Sequence, residues 1–101
     1  MVKTVTVRYF DGCPNWQDAV ALVRSVLDAA GLAGVPIELE LVETESDAER
    51  LGFIGSPTVL VDGRDPFDPG GAPVDLACRV YRTSEGLRGI PARGELEQAL
   101  A

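Results

Sequence analysis

The chain contains no histidine. The commonest general base and the commonest metal ligand are therefore missing, which excludes serine–histidine and cysteine–histidine nucleophilic machinery within it. Cysteine is scarce: Cys13 and Cys78 are the only two, too few to build a four-ligand zinc site. No apolar run reaches the roughly 20 residues that a membrane-spanning helix needs. The opening MVKTVTVRYF offers no apolar stretch behind a basic head, so no secretory signal is expected there. Basic residues are outnumbered, nine against sixteen acidic, for a net charge of −7. That sign opposes phosphate backbones and anionic lipid, so neither nucleic acid nor membrane is an expected partner. The expected compartment is the cytoplasm, where both thiols would be free. No metal or cofactor is expected. Chemistry must then come from a thiol, a carboxylate or shape.

What is present suits one globular domain spanning residues 1–101, with 46% hydrophobic residues and six aromatics. Val5, Val7 and Tyr9 alternate with Thr4, Thr6 and Arg8, which predicts a strand from Val2 to Phe10. Asp11-Gly12 breaks it, and Pro14 is suited to a first helical position. Trp16, Val20, Val23, Leu27 and Ala30 then recur at spacings of three and four, an amphipathic helix ended by Gly31. Pro36 to Glu43 alternates again through Ile37, Leu39 and Leu41. Ser46 to Glu49 has capping-box spacing before a short helix stopped by Gly52. Thr58-Val59-Leu60-Val61 predicts a buried third strand closed by Asp62-Gly63. Residues 64–73, with three prolines and two adjacent glycines, predict a loop. Leu96 and Leu100 predict a terminal helix over residues 93–101. A strand–helix–strand unit of this size implies parallel strands with a right-handed crossover, in an α/β or α+β domain with a small mixed sheet.

Two local signals resemble the thioredoxin-like superfamily. One is Tyr9-Phe10-Asp11-Gly12-Cys13-Pro14-Asn15-Trp16, a cysteine directly after the first strand and at a helix start. The other is Gly55-Ser56-Pro57-Thr58, where family members carry a cis-proline before the third strand and facing the active cysteine. The tail from Leu87 to Leu96 is similar to the family's glycine and final helix. The resemblance covers residues 3–63 and 87–101. It implies a βαβ-α-ββ-α order with an inserted segment at about 64–86. The dithiol members use Cys-x-x-Cys, in which the second thiol resolves the first. Here that position holds Trp16, so the match is to single-cysteine relatives. The monothiol glutaredoxin motif Cys-Gly-Phe-Ser is absent.

The resemblance makes Cys13 the expected nucleophile in thiol–disulfide exchange or the site of reversible oxidation. Its partner would be a small thiol or a thiol- or disulfide-bearing protein. A helix N-terminus would lower its pKa, while Asp11 nearby opposes that. The opposing structural role is a small buried residue filling a turn. Pro14, Trp16, Ser56, Pro57 and Thr58 would line the substrate groove, although a tryptophan starting a helical stripe is more often core. Two other functions stay open: a non-catalytic module holding a partner peptide between Cys13 and Pro57, and thiolate capture of a soft metal or organomercurial. Cys78 is the candidate second thiol. Residues 72–82 fit either an inserted helical turn or, over 79–83, a returning strand. In the strand threading Cys78 lies roughly 16 Å from the Cys13 edge, too far for a disulfide. A helix folded back over the sheet would let the two thiols meet.

Overall fold

The computed structural model describes residues 2–67 and 70–100. The elements run β1 (Val5–Tyr9), α1 (Asn15–Ala29), β2 (Ile37–Leu41), α2 (Glu45–Leu51), β3 (Thr58–Val61), β4 (Tyr81–Thr83), β5 (Gly86–Arg88) and α3 (Arg93–Ala99). This is a mixed α/β arrangement with two small sheets and three helices. In the first sheet β1 is central, parallel to β2 and antiparallel to β3. The second is the antiparallel β4–β5 hairpin, turned through Ser84-Glu85. A hairpin after the third strand is thus present, but it is β4 with β5 and it stands apart from the first sheet. No helix occurs among described residues 70–92, which decides for the strand over the inserted helical turn. Residues 68 and 69 of the expected insert, and Ala101 of the expected terminal helix, lie outside the described residues.

The β1 alternation works as its side chains require. Val5 and Val7 are fully buried, and Val5 packs with Val59, with Val23, Val26 and Leu27 of α1, and with Leu96 and Leu100 at the chain's end. The buried stripe of α1 is Ala19, Val23, Val26 and Leu27. It is turned from the expected one, leaving Trp16 and Val20 at its margin and Ala30 in solvent. The helix ends on Gly31 at φ +77°, with its N–H on the Asp28 carbonyl and Leu32 N–H on Leu27, a Schellman closure. In β2 only Ile37 reaches the core, while Leu39 and Leu41 stay 51% and 41% exposed at the sheet edge. Thr44, not Ser46, caps α2: its Oγ1 accepts from Asp47 N–H at 3.1 Å. Asp62-Gly63 makes the tight turn after β3, both residues at positive φ. No helix among the described residues is long and apolar enough to cross a membrane.

Candidate functional site

The site is built where the β1–α1 loop meets the start of β3. Cys13 follows the Asp11-Gly12 turn, its N–H bonded to the Phe10 carbonyl at 3.0 Å. It precedes Pro14, which is the N-cap of α1 and offers that helix no side-chain acceptor. Facing it is Ser56-Pro57, a cis peptide bond. The Cys13 Sγ lies 3.6 Å from the Ser56 carbonyl oxygen. Cys13 is 0% exposed. The sulfur expected as an accessible nucleophile is therefore enclosed.

Its partner is Cys78. The two cysteines form a disulfide with Cα atoms 5.5 Å apart, so neither of the thiols expected to be free is free. The strand threading had placed Cys78 at the far end of a strand returning directly from β3. Instead the long loop after Arg64 travels back first, and residues 77–79 start beside Ser56 and run parallel to it. Ser56 N–H donates to the Ala77 carbonyl at 2.7 Å, and Arg79 N–H donates to the Ser56 carbonyl at 2.7 Å. The backbone edge beside Pro57, expected to be open to substrate, is thus covered by the chain's own residues.

The other expected groove residues divide. Pro57 and Thr58 are buried; Thr58 Oγ1 donates to the Gly55 carbonyl at 2.7 Å, which commits it to the local turn. Ser56 is buried too, and its Oγ has no hydrogen-bond partner among the described residues. Pro14 is exposed. Trp16 stacks on Tyr9, ring centroids 4.2 Å apart, at the surface margin of the core.

Arg79, Asp65 and Tyr81 escaped the sequence reading. Arg79 is only 6% exposed and pairs with Asp65 at 2.6 Å. It also donates to the Phe67 carbonyl at 2.7 Å and lies 4.4 Å over the Tyr81 ring. These bonds tie residues 77–81 to the loop after β3, so Cys78 is held rather than dangling. Tyr81 donates its hydroxyl to the Pro57 carbonyl, and burial pushes its pKa well above the ordinary tyrosine value. No motif marks this set, since an Arg-Val-Tyr run has many surface uses. Among the described residues no cluster of three or more histidine, cysteine or acidic groups could hold a metal ion.

Comparison with family models, curated proteins and solved structures finds no match to this chain.

Proposed function

We propose that the chain is a thioredoxin-like thiol–disulfide redox protein whose working pair is Cys13 and Cys78. The observation that carries this reading is the bond between them across the Ser56–Pro57 corner. The positions of the cysteine after β1 and of the cis-proline before β3 support a thioredoxin-like ancestry, as does the parallel β1–α1–β2 unit. The second thiol takes over what a Cys-x-x-Cys motif does locally. Trp16 occupies the usual position of the second thiol, and Cys78 supplies that sulfur from 65 residues away.

The chemistry is a two-electron exchange. In the reduced protein one thiolate attacks a partner disulfide, and the partner's leaving sulfur takes the electron pair. The second protein thiolate then attacks the mixed disulfide and releases the partner's other thiol. The protein ends oxidised and the partner reduced. Once the bond is open, Cys13 can donate its S–H to the Ser56 carbonyl, a contact the disulfide leaves without a proton.

The test is equilibration of the protein in graded ratios of reduced to oxidised dithiothreitol, followed by alkylation and intact mass. The expected result is one two-electron transition linking free thiols to a single intramolecular bond. The reduced protein should also reduce insulin disulfides, and the Cys13→Ser/Cys78→Ser double variant should lose that turnover. A bond that forms in no ratio, or a folded dithiol inert toward every disulfide, would overturn the reading.

A further inference from the structure

The two cysteines of the pair are unequal in exposure. Cys13 is 0% exposed, whereas Cys78 is exposed and borders an open cleft of about 230 Å³. Ile54, Ala72, Pro73, Asp75 and Val80 share that cleft. We propose that partners exchange with the pair through Cys78 and not Cys13, and that the cleft selects neutral or cationic thiols over anionic ones. This rests on the redox reading above.

Access decides the first half. An attacking thiolate must approach along the sulfur–sulfur axis from the side away from the leaving sulfur. Cys78 is exposed and lines the open cleft, whereas Cys13, at 0% exposure, presents no surface to an incoming thiolate. The charge flow agrees. When a thiolate RS⁻ attacks Cys78 Sγ, the bond R–S–S–Cys78 forms and the Cys78–Cys13 bond breaks. The electron pair leaves on Cys13 Sγ, one residue before the N-cap of the 15-residue helix α1, whose positive end receives it. The Cys13 thiolate then takes a proton from water. A second RSH frees Cys78, yielding RSSR and the protein dithiol.

Charge decides the second half. Asp75 lines the cleft, and its backbone N–H, not its carboxylate, holds the chain to the Phe53 carbonyl at 3.0 Å. Asp11 is exposed on the loop just before Cys13. Among the described residues lining the cleft the one cation, Arg79, is committed to Asp65 and the Phe67 carbonyl. An approaching anion therefore meets net negative charge from the described residues around the cleft, on a chain that carries −7 overall.

The experiment uses the oxidised wild-type protein with cysteamine (cationic), 2-mercaptoethanol (neutral) and 2-mercaptoethanesulfonate (anionic). Reactions are quenched early with acid, alkylated in denaturant with excess N-ethylmaleimide, then digested and mapped by mass spectrometry. The added thiol should sit on Cys78 and the maleimide on Cys13. Rates are normalised to each thiolate's rate with 2-hydroxyethyl disulfide. Cysteamine should then exceed the sulfonate by at least about threefold, and the gap should narrow in roughly 0.5 M salt. The Asp75→Asn variant should narrow it in the same way. The added thiol on Cys13 overturns the assignment and leaves the redox reading standing. Equal normalised rates overturn the selectivity. Exchange at neither sulfur with any of the three thiols overturns the redox reading and this proposal together.

Discussion

Gly55 shows at single-residue scale how the Cys78 segment is seated. Its φ of +129° is one that side chains rarely adopt, and an added Cβ would lie 2.8 Å from Arg79 Cβ and 3.0 Å from Arg79 Cα. Gly55→Ala should lower unfolding stability by at least about 2 kcal/mol, read from urea midpoints. Gly34→Ala, with nothing within 4 Å, should change it by less than about 0.5 kcal/mol. Two equal effects would mean that Arg79 does not press on this turn. Tyr81 makes a pH-dependent case. Burial raises its pKa, more than Arg79 beside the ring lowers it. The native state holds the phenol proton more tightly than the unfolded chain does. This contribution is therefore intact below the unfolded value of about 10 and is lost as pH rises past it. Tyr81→Phe should be roughly 1 kcal/mol less stable at neutral pH, through loss of the bond to the Pro57 carbonyl. Its stability should fall less steeply than wild type above about pH 10. Parallel alkaline limbs in urea unfolding would remove Tyr81 as the titrating group.

Helix α2 is seven residues long, too short to persist by propensity alone, so its ends and its packing decide it. Thr44 caps one end, and Gly52 closes the other at φ +64° with Phe53 N–H on the Ala48 carbonyl. Ala48, Phe53 and Val42 form a small buried cluster beneath it. Thr44→Ala should cost about 1 kcal/mol in denaturant unfolding, and Ser46→Ala should be close to neutral. The reverse order would restore the capping box at Ser46–Glu49. Strand β2 shows the opposite balance. Its alternation is regular, yet helix α1 packs over the β1 and β3 side and leaves Leu39 and Leu41 uncovered. A two-residue period reports which side chains share a face, and says nothing about whether a second layer covers that face.

Across the whole molecule the disulfide is the one covalent cross-link, closing a 65-residue separation that contains α1, β2, α2 and β3. Loop-closure entropy in the unfolded chain makes such a link worth roughly 4 kcal/mol. For a domain near this size that corresponds to a fall in Tm of roughly 15 °C or more on reduction. Calorimetry with and without reductant, beside the Cys13→Ser/Cys78→Ser double variant, measures it. A shift below about 3 °C would show that other contacts, such as the buried Arg79–Asp65 pair, hold residues 77–81 without the bond.

Local pattern was enough for the elements whose cause is local. The β1 alternation, the α1 stripe to within a turn of the helix axis, the Gly31 and Gly52 stops and the Asp62-Gly63 turn all follow from side-chain period and backbone freedom over a few residues. Cys13 after β1 and Pro57 before β3 became candidates through the resemblance of the sequence around them to the thioredoxin-like superfamily. Where Cys78 goes was not legible. Its place depends on a proline- and glycine-rich loop that first travels back past β3, and on Arg79 finding Asp65 fourteen residues away. Neither has a periodic signature. Only tertiary structure brings residues 77–79 alongside Ser56, since loop path is set by the contacts its ends make and not by the residues within it.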